Sequence, residues 1–286
     1  MGILEFLKKI NNNKMENQLD LLDEELEEKE NDKKLDSKIH FYFDDRRREF
    51  PSFFNYHWAE ENDLISEFGV IDYIKEIKFK NNMEGAETSF RICENKLLIT
   101  ISISAFKLGI GSGGGQSQFN TKEFHEYLCH ELFHAQSLVH IYETYGIEEI
   151  KKLEHLTKDH KEEQFWERIA FLSFEEYCAC RKNAEKYKVF ESVEDFERIK
   201  KIFSYSKVFE KPNFEVNNQL FYNISTLVAL KDAGKSMKIP EELVPLFSNI
   251  GLCFRTNYSN SPLSFEGYQE IGKELERVYL IKPTYL

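Results

Sequence analysis

The chain has 286 residues, of which 41% are apolar and 14% aromatic, enough for a full hydrophobic core in one domain or two. Its formal net charge of −12 at pH 7 argues against general nucleic-acid binding, because most of the surface would repel a phosphate backbone. The five cysteines, Cys93, Cys129, Cys178, Cys180 and Cys253, form an odd, irregularly spaced set that does not build a disulfide framework.

In chain order, the start MGILEFLKKINNN carries too short an apolar run for a signal peptide, and no later segment reads as a membrane span. A reducing cytoplasm is the expected compartment. Residues 1–38 form an acidic, polar N-terminal segment, either flexible or a solvated helix with Leu19, Leu22 and Leu26 on a narrow face. The aromatic-rich stretch 39–58 reads as structured without declaring its type, and its Arg46, Arg47 and Arg48 fit pairing with nearby acids. VIDYIKEIKF, residues 70–79, is predicted as a short helix. SFRICEN and KLLITISISAF read as two strands around a turn at Glu94 and Asn95. In the second strand Leu97, Ile99, Ile101, Ile103 and Ala105 share one face.

GIGSGGGQSQ, residues 109–118, is too rich in glycine for a regular element and lacks the Gly-Lys-Ser/Thr ending of a phosphate loop. A flexible flap or linker is expected there. Asn120 or Thr121 can cap the next helix, with Glu123 completing a capping box, and that helix is predicted to reach about Val139. Further helices are expected near 162–187, 193–204, 218–234 and 265–279, with Pro212, Pro240, Pro245 and Pro262 interrupting between them. Strands followed by many helices give an α+β layout weighted toward helix.

The stretch LCHELFHAQSLVH, residues 128–140, carries the chemistry. His130 and His134 stand one helical turn apart, so their imidazoles can converge on one ion, while the apolar stripe Phe124, Leu128, Leu132, Ala135, Val139 faces elsewhere. Glu131 can reach a water on that ion without being a ligand. Zinc accepts imidazole nitrogen and carboxylate oxygen in a tetrahedron that keeps one position for water, and a nearby carboxylate can take the water's proton.

Two sources compete for the third ligand. HELFHAQSLVH matches His-Glu-x-x-His-x-x-Gly-x-x-His except that Ser137 replaces the glycine that would turn His140 back to the metal. If the helix continues instead, His140 lies about 9 Å farther along the axis and points aside. The other source is FWERIAFLSFEEYCACR, residues 165–181. There Glu176 continues the inward stripe through Ile169, Leu172 and Ala179, whereas Glu175 points toward the boundary or solvent. Glu176 is favoured, with Glu175 and His140 as alternatives. Tyr177 and Arg181 are candidates to donate to a developing oxyanion or to orient a carboxylate.

HELFH followed by EEYCACR resembles the zincin superfamily in its Glu-ligated, or gluzincin, branch. More loosely it is similar to ImmA/IrrE-type zinc peptidase domains. The resemblance implies a small antiparallel or mixed sheet packed on the HExxH helix, Zn2+ held by His130, His134 and Glu176, and Glu131 as catalytic base. It places the zincin-like domain at 39–190, followed by a helical region, 191–286, of unassigned role. The segment LEHLTKDHKEEQ, residues 153–164, lengthens the interval between HELFH and Glu176 relative to compact members. The implied activity is zinc-dependent cleavage of a protein or peptide substrate within its chain. The alternatives are a zinc exopeptidase and a zinc-binding regulatory or structural protein without turnover. The sequence leaves the oligomeric state open.

Overall fold

The computed structural model describes residues 39–43, 46–47, 64–105, 108, 121–158, 161–187, 196–208 and 213–280. The expectations for the acidic segment 1–38, for Arg48, for the glycine-rich run 109–118 and for a cap at Asn120 lie outside these residues. The architecture is α+β: a small mixed sheet packs against the helix that carries HELFH, and the described residues that follow are largely helical.

The sheet contains β1 (His40–Phe43), β2 (Arg46–Arg47), β3 (Ile74–Lys80), β4 (Ala86–Cys93) and β5 (Lys96–Ser104) in the order β2-β1-β3-β5-β4. β3 runs parallel to β1 and β5, while β4 pairs antiparallel with β5. The β4–β5 hairpin turns at Glu94 and Asn95, whose φ values of 49° and 61° give the left-handed pair a two-residue hairpin requires. The face Leu97, Ile99, Ile101, Ile103, Ala105 is buried as the alternation predicts.

The helix predicted at 70–79 is instead strand β3. The register of β3 against β5 slips between Ile74 and Glu76, and this irregularity brings Ile74 and Ile77 to the same buried side. A spacing of three in an apolar pair imitates a helix when read along the chain. β5 is flanked on both sides, so its backbone groups are occupied, and β4 is the sheet's edge on that side.

The helix α1 (Thr121–Tyr145) crosses this sheet and outruns its predicted end at Val139. It stops where Gly146 adopts φ 84°, a left-handed turn that releases the chain into α2 (Ile147–Lys158). α2 takes up part of the segment read as extra material, burying Ile150, Leu153 and Leu156. The predicted helices are present as α3 (Phe165–Tyr187), α4 (Phe196–Val208), α5 (Phe214–Asp232) and α7 (Phe265–Leu280). Between the last two lies α6 (Val244–Tyr258), which the sequence reading missed. Pro245 sits in its first turn, where a missing N–H costs nothing, and so marks a helix start rather than an interruption.

α3 is the central strut. It packs against α1, α5 and α7, and Ile169, Phe174, Tyr177 and Ala184 have no exposed surface. Three successive polar residues fix its rotation. Glu175 accepts a hydrogen bond from Tyr268 of α7 at 2.6 Å. The Tyr177 hydroxyl donates to Asp232 of α5 at 2.8 Å, and Asp232 also accepts from Arg255 of α6 at 3.0 Å. Glu176, between them, faces α1.

α7 approaches α3 closely through Gly272, where an added Cβ would stand 3.0 Å from the carbonyl carbon and oxygen of Trp166. Because backbone cannot move aside as a side chain can, Gly272→Val is expected to lower stability by about 1–3 kcal/mol through overpacking. Gly272→Ala should cost less, since alanine recovers about 1 kcal/mol of helix propensity. Urea unfolding midpoints test this, and an unchanged midpoint for G272V would contradict the close packing.

Candidate metal centre

α1 passes unbroken through HELFH, which places His130 and His134 on one side of the helix, away from Leu128, Leu132, Ala135 and Val139 in the core. Their Nε2 atoms lie 3.1 Å apart, and the side chains keep 20% and 18% of their surface exposed. From α3, the Oε2 atom of Glu176 lies 3.5 Å from His130 Nε2 and 3.4 Å from His134 Nε2. The three donors thus form a nearly equilateral triangle. Tetrahedral zinc with bonds of about 2.1 Å separates its ligands by about 3.4 Å, so the triangle fits such an ion with a fourth position free. Two imidazoles and one carboxylate are also a donor set that suits zinc.

The electrostatics show how tightly these groups are coupled. Burial alone would raise the Glu176 carboxyl, but His130 and His134 outweigh it and hold the group well below its ordinary 4.5. Burial likewise opposes charge on His130, and the Glu176 carboxylate overrides it, raising the imidazole well above 6.5. A proton on His130 therefore does part of what a metal cation would do: it supplies positive charge beside a carboxylate that is only 4% exposed.

Glu131 is 3% exposed, and its Oε2 accepts a hydrogen bond of 2.7 Å from the Thr88 hydroxyl of β4. The same hydroxyl lies 3.1 Å from the Glu131 carbonyl oxygen, so its single proton is shared between two acceptors of one residue. Thr88 shares the inward face of β4 with Ala86, Phe90 and Ile92. The sequence reading did not single it out, although its place in that alternation was available.

A third wall comes from α5. Thr226 lies 3.4 Å from Glu176 Oε1 through its Oγ1. One turn earlier on the same helix, Tyr222 is 43% exposed, with Glu176 among the groups near its hydroxyl. Burial of that hydroxyl, with Glu176, Cys180 and Glu131 nearby, pushes its pKa far above 10, so the phenol remains a proton donor. Cys180, one turn after Glu176, donates its thiol to Glu176 Oε1 at 3.0 Å, and burial beside that carboxylate raises its pKa to about 12. Each of these residues stands at an i, i+4 spacing, Glu176–Cys180 and Tyr222–Thr226. Only the second pair's remote position concealed its relation to HELFH.

Other residues depart from what the sequence predicts. His140 is exposed on the continuing helix and does not join the cluster, because Ser137 is buried in unbroken helix and makes no turn. Glu175 is not directed toward solvent; it is 5% exposed and bound to Tyr268. Tyr177 is fully buried, its oxygen donating to Asp232 and accepting from Arg181 at 2.8 Å, and so it serves the α3–α5 contact instead of an oxyanion. Arg181 also pairs with Glu185 at 2.8 Å and lies over the Tyr258 ring at 4.2 Å.

Proton and cation compete for the His130 nitrogen, so zinc affinity should go on rising with pH above 6.5 instead of levelling at the ordinary histidine value. Calorimetric titration at several pH values, in buffers of differing ionisation enthalpy, reads both the affinity and the proton release. His130→Ala, His134→Ala and Glu176→Ala should each reduce bound zinc strongly in elemental analysis. Full zinc retention in all three would rule out this triangle.

No family model, curated protein or solved structure matches this chain. The arrangement itself, two histidines and a glutamate in HExxH spacing joined by a distal glutamate, matches the zincin-type pattern and is consistent with a gluzincin-like metallopeptidase fold.

Proposed function

We propose that the protein is a zinc-dependent metalloendopeptidase of gluzincin type, with His130, His134 and Glu176 as ligands and Glu131 as general base. The observation that carries this reading is the donor triangle of 3.1–3.5 Å with a buried glutamate on the intervening position of the same helix. When bound, zinc supplies Lewis acidity, which makes water acidic near neutrality and polarises a carbonyl. Glu131 accepts the water's proton and passes it to the leaving amine. Thr88 occupies Oε2 of Glu131, which leaves Oε1 for the proton. Tyr222 donates to the substrate oxygen as negative charge develops there.

An extended peptide fits the edge of β4, which has no further strand beside it among the described residues and is met by Glu154 only at the Ile92 N–H; added there as a strand, its backbone comes beside the Thr88–Glu131 contact. That supports an endopeptidase, since an edge strand grips a chain without needing its ends. In this reading residues 39–190 form the zincin-like domain, and 191–286 complete its cleft by contributing Tyr222 and Thr226. The looser kinship with ImmA/IrrE-type domains is supported by a strand layer before the HELFH helix and a glutamate on a later one, with α2 interposed. A cytoplasmic setting is supported by five free cysteines. Among the described residues no helix is long and apolar enough to cross a membrane.

The test compares native protein and Glu131→Gln, both loaded with zinc, on a diverse peptide library. Native protein should cleave internal bonds, and E131Q should lose about 10²–10⁴-fold in kcat while keeping its zinc. Trimming from chain ends would indicate an exopeptidase, and zinc binding without any turnover a regulatory or structural centre. On the same substrate Tyr222→Phe should lower kcat by about 10²-fold with little change in KM. Equal kcat for Y222F and native protein would remove Tyr222 from the mechanism.

A further inference from the structure

The two oxygens of Glu176 do different things. Oε2 faces the imidazoles, 3.5 and 3.4 Å from their Nε2 atoms. Oε1 instead meets Cys180 Sγ at 3.0 Å and Thr226 Oγ1 at 3.4 Å, with the thiol also beside His130. From this division we infer that the Cys180 thiol, assisted by the Thr226 hydroxyl, holds Glu176 as a one-oxygen ligand and so keeps a metal position open for water and substrate. The inference rests on the metal-site reading above and adds the residues that determine how its carboxylate binds.

A glutamate left to itself can offer a metal both oxygens, and a second Glu176 oxygen would take up coordination space that a catalytic zinc needs free. Hydrogen bonds to the outer oxygen prevent this, as partners behind a ligand generally fix its orientation. Cys180 is well placed for that task. It stands one helical turn after Glu176 on the same rigid, buried α3, and is itself only 9% exposed. Thr226 is the weaker anchor, because its single hydroxyl proton is shared with the Tyr222 carbonyl oxygen at 3.2 Å. It nevertheless approaches the same carboxylate oxygen from a different helix, so two elements converge on Oε1. Both are positioning residues: they act through Glu176.

The probe is Co2+ alone, added to the metal-free full-length protein, with affinity measured by competition against a chromophoric chelator and geometry by visible absorption. Native protein and Cys180→Ser, which keeps a donor, should bind Co2+ with similar affinity and the intense visible bands of a four-coordinate site. The double variant C180V/T226V should bind about 10–100-fold more weakly. Its bands should also weaken as the carboxylate swings to offer both oxygens. C180A/T226A, which adds no bulk, replaces the valine pair if circular dichroism shows that the latter does not fold. Unchanged affinity and bands in the double variant would overturn the proposal. So would a near-ultraviolet sulfur-to-cobalt charge-transfer band in native protein that C180S abolishes, since the thiol would then be a ligand itself. If native protein binds no Co2+ that the double variant H130A/H134A loses, the metal-site reading falls first, and that result is distinct from either of these.

Discussion

A carboxylate buried against two imidazoles is the constraint on which the rest of this structure depends. Glu176 is 4% exposed among apolar neighbours, and an ionised group there is tolerable only with positive charge and hydrogen bonds at hand. His130 supplies the first as protonated imidazole, or both histidines supply it as ligands to a cation, and Cys180 and Thr226 supply the second. None of these contacts survives a rotation of α3, because adjacent helical residues differ by about 100° in direction. The Glu175–Tyr268 and Tyr177–Asp232 bonds on either side are what hold that rotation. Three consecutive residues thus point to α7, to α1 and to α5, and the outer two set the angle at which the middle one reaches the imidazoles.

The sheet and the late helices divide the remaining work. β4 brings Thr88 onto Glu131, so the strand beside which a substrate would lie also steadies the proposed base. α5 brings Tyr222 and Thr226, from a region whose role the sequence left blank, to the same carboxylate that α3 presents. The centre is therefore built from four elements, α1, α3, α5 and β4, and its geometry depends on packing in the core that α3 shares with α5, α6 and α7. A substitution far from the cleft, in the Asp232–Arg255 contact for example, acts on the site through the position of α3.

Much of the architecture was legible wherever a local period was clean. The alternation in β5, the two-residue hairpin turn and the apolar stripe of α1 each follow from backbone geometry over a few residues. The reading failed where local geometry was irregular. β3 took on a helical look because a register slip changed its apolar spacing, and α6 was hidden by a proline that belongs in a first turn. The end of α1 was placed too early for a related reason: nothing stops the helix until Gly146.

By itself the sequence determined the pair of imidazoles and the glutamate between them, since one helical turn is a local distance that HELFH specifies completely. It also narrowed the third donor to a short stretch of α3, because the apolar stripe there points Glu176 inward. Only the tertiary structure decided that Glu175 is equally buried yet spent on Tyr268, and that His140 stays outside on the helix. It alone brought Thr88, Tyr222 and Thr226 to the cleft. The physical reason is range: periodicity reports which face of an element is turned inward, whereas which residues meet across that face is set by how separate elements pack.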